Sequence, residues 1–137
     1  MPDETPSNIL ALIGPTGSGK TELSLAVAGE LAAEIVCGDS RQMYRGLDTA
    51  TGKPTATQMK TVPHHLFDRC EITETVSAGR FADEVRPLLE QISGRGHLPL
   101  IVGGSGFYLK ALYRGLSPIP PIPDAIRDEV RRELAER

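Results

Sequence analysis

The sequence predicts an α/β domain with a mainly parallel sheet, and three features indicate this fold. An apolar run over residues 9–13 leads into a glycine-rich loop, and a helical pattern follows the loop. A second apolar run over residues 98–102 also ends in glycines before a helix. Short apolar strands that alternate with helices are typical of α/β folds. Because the first loop has the spacing of a phosphate-binding loop, we predict a three-layer fold of the P-loop NTPase type.

Residues 14–21 fit the pattern of a glycine, four residues and then Gly-Lys-Ser/Thr. Glycines let main-chain N–H groups turn toward phosphate oxygens, and the helix N-terminus adds partial positive charge. We expect Lys20 to reach the terminal phosphate and the Thr21 hydroxyl to bind Mg²⁺. The loop alone does not decide between a nucleotide and another diphosphate. The predicted phosphate- or nucleotide-binding residues are Gly14, Pro15, Thr16, Gly17, Ser18, Gly19, Lys20 and Thr21.

The elements on either side of the loop are predicted from apolar spacing. The run at 9–13 is typical of a buried parallel strand. The helix after the loop carries Leu23, Val27 and Leu31 at four-residue intervals. A second strand is predicted over residues 34–37, and it ends in Gly38-Asp39-Ser40.

Asp39 has two interpretations. Ligands of open α/β sheets bind beyond the carboxyl ends of strands, so Asp39 is expected beside the glycine loop as a metal-associated acid or a general base. Gly-Asp-Ser is also good turn chemistry, and an aspartate there can simply cap a turn. Both interpretations stay open from position alone.

Residues 41–63 have no clear period, and Lys53-Pro54 is expected to stop any helix. The stretch 41–46 mixes basic, amide and aromatic side chains, which suits contact with phosphates and bases or an ordinary solvated loop. His64-His65 begins a predicted short strand. Adjacent side chains of a strand point to opposite faces, so these histidines are poor partners for one metal, and we predict no zinc site.

A helix is predicted after Ser77, a plausible N-cap. Its apolar stripe comprises Phe81, Val85, Leu88, Leu89 and Ile92. Pro87 interrupts the stripe, so a bend or a late start is expected. The next buried strand, 98–102, runs into Gly103-Gly104-Ser105-Gly106, which is either a tight turn or a second substrate contact, and we favour the contact. No aspartate ends this strand, so Asp39 is also the best candidate for an electrostatic role beside the loop.

The C-terminal part is predicted to leave the core. Four prolines lie within 116–123, a composition typical of a stiff linker. A charged helix with a narrow apolar edge at Ile126, Val130 and Leu134 follows, and it either needs a partner or folds back onto the domain. We therefore divide the chain into a core (1–115), a proline-rich linker (116–123) and a C-terminal helical segment (124–137).

Composition excludes some classes. The net charge of −3 does not indicate a highly basic nucleic-acid binder, although a local basic face remains open. Cys37 and Cys70 form no CxxC pair and are expected to be buried thiols in a reducing cytoplasm. No apolar run is long enough to cross a membrane, so no membrane partner is expected.

Several ordered segments together resemble the tRNA dimethylallyltransferase family, also called tRNA isopentenyltransferases. The glycine loop is followed by Asp-Ser-Arg-Gln-Met-Tyr-Arg-Gly-Leu-Asp at 39–48 and Lys-Pro-Thr at 53–55. The resemblance continues through His-His-Leu-Phe-Asp at 64–68, Val-Ser-Ala-Gly-Arg-Phe at 76–81 and Gly-Gly-Ser-Gly-Phe-Tyr at 103–108. Many families share a P-loop, but this ordered set is highly specific.

The resemblance implies prenyl transfer from dimethylallyl diphosphate to N6 of the adenosine just 3′ of the tRNA anticodon, with Mg²⁺. Lys20 and the loop would then stabilise the diphosphate leaving group. Asp39 matches the proton-accepting carboxylate, and Thr16 matches a loop residue near the substrate. The residues that match tRNA contacts are Asp39, Ser40, Arg41, Gln42, Ser105 and Arg127. The resemblance also implies a base-flipping pocket, and we expect a cytoplasmic monomer.

The chain departs from the family in two respects. Thr49-Ala50-Thr51-Gly52 replaces the usual Gly-Thr-Ala order. Family members are also longer, so the chain is expected to be a truncated product or a fragment, and its activity alone stays open. The resemblance implies that residues 1–115 are part of the catalytic core and that residues 124–137 are the start of a truncated helical insertion domain. The alternatives are a P-loop small-molecule kinase and a non-enzymatic nucleotide-binding fragment.

Overall fold

The computed structural model describes residues 8–136, and its elements alternate between strands and helices. The strands are β1 (Leu10–Ile13), β2 (Ala33–Cys37), β3 (His64–His65) and β4 (Leu98–Gly103). The helices are α1 (Lys20–Leu31), α2 (Ala56–Met59), α3 (Ala78–Gly94), α4 (Gly106–Arg114) and α5 (Asp124–Ala135). Within the described residues, no helix is long and apolar enough to cross a membrane.

The strands form one parallel sheet in the order β1-β4-β2-β3. Alternate residues of a strand face opposite sides of a sheet. Accordingly, Val36 and Ile101 pack with α3 and α4, whereas Ile35 and Leu100 pack with α1. Helices therefore cover both faces of the sheet, which confirms the predicted three-layer α/β fold.

The prediction that β1 is buried is wrong. Among residues 8–136, β1 lies at the edge of the sheet and pairs only with β4, and Leu10 and Ile13 are 38% and 58% exposed. An unbroken apolar run is typical of a strand between two neighbours, but it does not reveal whether this part of the chain supplies the second neighbour.

The apolar spacing of α1 is also misleading. Leu23 and Leu31 are about half exposed, whereas the small side chains Ser24 and Ala28 are buried. Leu25 and Val27 are partly buried beside them against the β2–β4 face. Small residues let α1 approach the sheet closely, so its buried face is not the one with the largest side chains.

α3 confirms the predicted cap and stripe. The Ser77 hydroxyl accepts a 3.1 Å hydrogen bond from the Arg80 N–H, and four stripe residues are fully buried. The helix nevertheless starts at Ala78 and runs through Pro87, so the predicted late start is wrong. Pro87 is exposed, and burial of the stripe on the opposite side outweighs a helix-interior penalty of about 3 kcal/mol.

The segment between β2 and α3 is more ordered than its sequence pattern indicates. It contains α2, which starts with a capping box in which Thr55 and Gln58 bond each other's main-chain N–H groups. The Thr-x-x-Gln spacing could have predicted this helix. Cys37 and Cys70 are buried free thiols, as predicted, and desolvation raises the pKa of Cys37 to about 12.

Residues 115–123 contain no helix or strand, and α5 follows them without a buried residue. Ile126, Val130 and Leu134 are 50–71% exposed, so the apolar edge of α5 does not pack on the core. The alternative in which α5 folds back onto the domain is therefore wrong, because its apolar edge has no covering surface within the described residues. The domain boundaries themselves stay predictions.

Candidate functional site

The site lies where β1, β2 and β4 end, because parallel strands bring their carboxyl ends to one edge of the sheet. β1 leads into the glycine loop, β2 leads into Gly38-Asp39, and β4 leads into Gly104-Ser105. The Gly14 N–H donates to the Gly103 carbonyl at 3.4 Å, and the Ser105 N–H donates to the Gly38 carbonyl at 3.3 Å. These hydrogen bonds connect the segments that follow the three strands, so they lie next to one another at the site.

The glycine loop has a conformation suited to an anion. Gly17 and Gly19 have φ values of 81° and 85°, which favour glycine. Gly19 is the N-cap of α1, and no side chain caps this helix end. The first N–H groups of α1 are therefore open to an anion, which the partial positive charge of the helix end also attracts.

The Lys20 ammonium folds back onto its own loop. Its Nζ donates to the Pro15 carbonyl at 2.6 Å and lies 3.5 Å from the Ser18 hydroxyl, which also donates to Pro15. Both bonds lie on the exposed side of the loop. Lys20 can therefore exchange a carbonyl oxygen for a phosphate oxygen by moving its flexible side chain alone.

Thr21 is bonded to a distant part of the chain. Its hydroxyl donates a 3.0 Å hydrogen bond to the Gly52 carbonyl. The neighbouring Thr51 carbonyl accepts a 2.6 Å bond from the Gln42 amide, which is buried. The stretch 47–53, which we call the covering loop, thus closes one side of the glycine loop.

Between the glycine loop and the covering loop lies a cavity of about 380 Å³, which we call the P-loop cavity. Its lining includes the half-buried Lys20, the buried Lys53 and the Thr21 hydroxyl. The lining residues are Thr16, Gly17, Gly19, Lys20, Thr21, Glu22, Gln42, Thr51, Gly52, Lys53, Gln58, Val102 and Gly103.

A second cavity of about 240 Å³ adjoins it, and Thr16 lines both. We call this second cavity the Asp39 recess. Its other lining residues are Pro15, Asp39, Ser40, Arg41, Gly104 and Ser105. The structure thus places two features on the two sides of Thr16. One is the set of open N–H groups at the glycine loop and the start of α1, which we call the anion cradle, and the other is the Asp39 carboxylate.

Asp39 caps a turn and also lines the recess. Its Oδ1 accepts hydrogen bonds from the Arg41 N–H at 2.8 Å and the Gln42 N–H at 3.4 Å. The turn interpretation therefore describes Oδ1. Because these bonds hold the carboxylate in one orientation, Oδ2 is the oxygen that remains for a proton.

The residues assigned to tRNA contacts have different surroundings in the structure. Arg41 is exposed in the recess, whereas Gln42 is buried and supports the covering loop. The Ser105 hydroxyl accepts a 2.9 Å bond from the Ser40 N–H and lies 3.3 Å from the Ser40 hydroxyl, so it orients the turn. Arg127 lies on α5, 3.8 Å from Asp124, and lines neither cavity.

The donor set suits a magnesium ion that arrives with a diphosphate. Within residues 8–136, no group of three or more His, Cys, Asp or Glu side chains could hold a metal. Mg²⁺ often binds through few protein oxygens plus phosphate oxygens and water. The Thr21 hydroxyl in the P-loop cavity is an oxygen of this kind. The two adjacent histidines have separate partners, since His64 bonds the Val62 carbonyl and His65 bonds Glu34.

Sequence reasoning missed the covering loop as part of the site. Lys53 is its most distinctive member, with a buried ammonium that contacts Asp48 and Asp68. Burial opposes the charge, but the hydrogen bonds to the two carboxylates outweigh it and raise the pKa of Lys53. The family resemblance includes Lys-Pro-Thr at 53–55, but a lysine directly before proline in a polar loop does not distinguish a buried amine from an exposed one.

Comparisons with known proteins agree with this architecture. The family model for IPP transferase matches residues 42–137. A tRNA dimethylallyltransferase from Koribacter versatilis is 47% identical over 129 residues, which cover 94% of this chain and 42% of that protein. One from Nitrosococcus oceani is 48% identical over 122 residues, covering 89% of this chain and 39% of the relative.

Solved structures show the same fold. The full-length tRNA isopentenylpyrophosphate transferase of Bacillus halodurans superposes with a TM-score of 0.77 at 37% identity, covering 95% of this chain and 43% of that one. A eukaryotic dimethylallyltransferase described as acting on tRNA gives 0.75 at 27% identity, covering 86% and 31%.

The chain spans 39–42% of the length of these two curated relatives. The matched part contains the sheet, both cavities and the stretch up to α5. The family model covers more than half of the chain. The fold of the chain and its ordered motifs agree with that match. The chain therefore belongs to the IPP transferase family.

Proposed function

We propose that this chain is the diphosphate-binding part of an enzyme that transfers a dimethylallyl group from dimethylallyl diphosphate to N6 of the adenosine 3′ of a tRNA anticodon. One observation carries the proposal: an anion cradle and a carboxylate lie in adjoining cavities on the two sides of Thr16. Such an arrangement suits a reaction in which one substrate loses diphosphate while the other loses a proton.

The first half of the reaction is loss of diphosphate. The allylic C1–O bond of dimethylallyl diphosphate breaks, and its electron pair leaves with the diphosphate. Negative charge grows on the leaving group as the bond lengthens. The open N–H groups at the start of α1 and the Lys20 ammonium can stabilise that charge where it develops.

The second half is attack by adenine. The N6 nitrogen forms the new bond to C1, and one N6 proton moves to Oδ2 of Asp39. The turn bonds to Oδ1 hold the carboxylate in the lining of the recess. Thr16 lines both cavities and can contact the substrate at the point where they meet.

Magnesium fits this proposal through the Thr21 hydroxyl, and when bound it would neutralise charge on the diphosphate oxygens. Arg41 and Ser40 line the recess where the acceptor would enter, and Arg41 supplies positive charge there. The Ser105 hydroxyl holds the Ser40 N–H, and the Gln42 amide holds the Thr51 carbonyl of the covering loop. Contact of Arg127 with tRNA stays a prediction that rests on the resemblance.

The first test measures binding by calorimetry. The chain should bind dimethylallyl diphosphate in the presence of Mg²⁺, and Lys20→Ala should weaken binding at least about tenfold, the scale of one charge-assisted contact. Lys60→Ala is the matched control, because Lys60 is an exposed lysine that lines neither cavity. Unchanged affinity in Lys20→Ala would refute the assigned role.

The second test separates the alternatives. An anticodon stem-loop with an adenosine at the target position is incubated with dimethylallyl diphosphate, Mg²⁺ and a protein that contains this chain and has the length of its relatives, which we call the family-length protein. The RNA is then analysed by mass spectrometry. Gain of one dimethylallyl group that Asp39→Asn abolishes supports the proposal. Transfer of phosphate from ATP to a small acceptor would instead support a kinase. ATP binding with neither product would support a nucleotide-binding fragment.

A further inference from the structure

The buried ammonium of Lys53 joins three separate parts of the chain. Its Nζ donates to the Tyr44 carbonyl at 2.8 Å, to Asp48 Oδ1 at 2.7 Å and to Asp68 Oδ1 at 2.6 Å. The Lys53 side chain is only 4% exposed. An ammonium has three protons to donate, and all three are taken. Lys53 therefore lines the P-loop cavity without a proton to spare for a phosphate oxygen.

The residue before Lys53 touches the glycine loop. The Gly52 carbonyl accepts a 3.0 Å hydrogen bond from the Thr21 hydroxyl. Gly52 has a φ of 67°, so the main chain turns sharply there, and Lys53 immediately follows the turn. Whatever fixes Lys53 also fixes the Gly52 carbonyl.

Two further bonds hold the covering loop from its other side. The Thr51 hydroxyl donates to the Leu47 carbonyl at 2.8 Å, and the Gln42 amide donates to the Thr51 carbonyl. With the Lys53 ammonium attached to Asp48 and Asp68, the loop is closed on itself and fastened to the core. These bonds fix the position of the Gly52 carbonyl even before a ligand binds.

A hydroxyl group has one proton and two lone pairs. Because the Thr21 proton is donated to Gly52, its lone pairs are directed away from that carbonyl. Thr21 lines the P-loop cavity, where a cation that accompanies diphosphate would need an oxygen lone pair. Outer-shell hydrogen bonds of this type orient metal ligands, and their loss costs about 10–100-fold in metal affinity.

We infer that Lys53 is a positioning residue for the diphosphate site, which acts through the Gly52 carbonyl to orient the Thr21 hydroxyl toward a divalent cation. The inference rests on the proposed function, because it concerns a cation bound together with diphosphate. It assigns Lys53 no contact with the substrate. Its effect on affinity should be larger when the cation is present.

The test compares the affinity for inorganic diphosphate with Mg²⁺ and with EDTA in place of Mg²⁺. Lys53→Met should weaken binding with Mg²⁺ about tenfold more than it weakens metal-free binding, because only binding with Mg²⁺ depends on the orientation of the Thr21 hydroxyl. Thr21→Ala should remove the same magnesium-dependent gain, and the double variant should lose no more than Thr21→Ala alone.

Two variants control for folding. Lys60→Met makes the same chemical change at an exposed lysine and should alter neither affinity. Asp48→Asn removes one of the two ion pairs of Lys53. Because the Asp48 side chain is 72% exposed, this variant should fold and show a smaller magnesium-dependent loss of diphosphate affinity. Amide hydrogen exchange should rise in residues 48–54 of Lys53→Met before any ligand is added.

The outcomes are distinct. Equal losses of affinity with and without Mg²⁺ would overturn the inference and leave the proposed function standing. Additive losses in the Lys53→Met and Thr21→Ala pair would also overturn it. Failure of the unaltered chain to bind diphosphate would overturn the proposed function and the inference together.

Discussion

The main chains of Gly38 and Gly103 are in direct contact at the site. A Cβ atom on Gly103 would overlap the Gly38 carbonyl group and lie 2.7 Å from the Asp39 nitrogen. A Cβ on Gly38 would lie 2.8 Å from a side-chain carbon of Ile101. The ends of β2 and β4 can therefore approach closely enough to place Asp39 beside Thr16 only if both positions lack side chains.

Gly103→Ala should destabilise the fold and weaken diphosphate binding. The new methyl group must push the Gly38–Asp39 main chain away, and overpacking of this kind costs at least about 1–3 kcal/mol. Urea unfolding measures the first effect and calorimetry the second. Gly29→Ala is the matched control, since Gly29 lies inside α1 with open space around it, and it should stabilise the chain by about 0.5–1 kcal/mol. Equal effects of the two changes would contradict this interpretation.

Ser105→Ala should impair acceptor binding more than diphosphate binding. The change leaves the Ser40 N–H without its 2.9 Å acceptor and frees the turn that holds Asp39, at a cost of about 1 kcal/mol. Affinities for an anticodon stem-loop and for diphosphate, measured separately on the family-length protein, check this. Ser40→Ala keeps the main-chain bond and should have a smaller effect, so a larger loss in Ser40→Ala would contradict the positioning role.

Arg41→Ala should weaken stem-loop binding in a salt-dependent way. Arg41 is exposed in the Asp39 recess, where it can neutralise one phosphate. Loss of one such contact should reduce the slope of log affinity against log salt by about one. Titration at several salt concentrations measures the slope. Arg114→Ala, at an exposed position at the end of α4 that lines neither cavity, is the control, and an unchanged slope in Arg41→Ala would exclude the contact.

At the opposite end of the sheet, Glu34 joins three elements through a buried carboxylate. It accepts bonds from Arg95, His65 and His97, which lie on the α3–β4 connection and on β3. The Arg95 bonds lower the pKa of Glu34 most, burial opposes them, and the two histidines add to the lowering, so the pKa falls from 4.5 to about 2.

This shift predicts acid destabilisation. A carboxyl whose pKa is lower in the folded state stabilises the fold above pH 4.5, and the contribution is lost as pH falls toward 2. The loss from Glu34 alone should be about 3 kcal/mol. Urea unfolding at a series of pH values should show a smaller acid loss in Glu34→Gln. Glu90→Gln, at an exposed position, should retain the full loss, and parallel curves for all three proteins would contradict the assignment.

The parts of the fold that local patterns describe were predictable. The glycine loop, the Ser77 cap, the stripe of α3 and the strand at 98–102 each depend on residues a few positions apart. The errors arose where burial depends on distant neighbours. The edge position of β1 and the small buried face of α1 depend on what the rest of the sheet covers, and no local period reports that.

The sequence by itself determined the family and indicated the glycine loop and Asp39 as candidate site residues, because motif spacing and residue chemistry are local properties. Only the tertiary structure decided that Thr16 borders two cavities, that Ser105 supports a turn and that Lys53 is buried under the covering loop. These facts depend on contacts between residues that are tens of positions apart, such as Thr21 with Gly52. Packing of the strand ends brings them together, and sequence spacing does not encode that geometry directly.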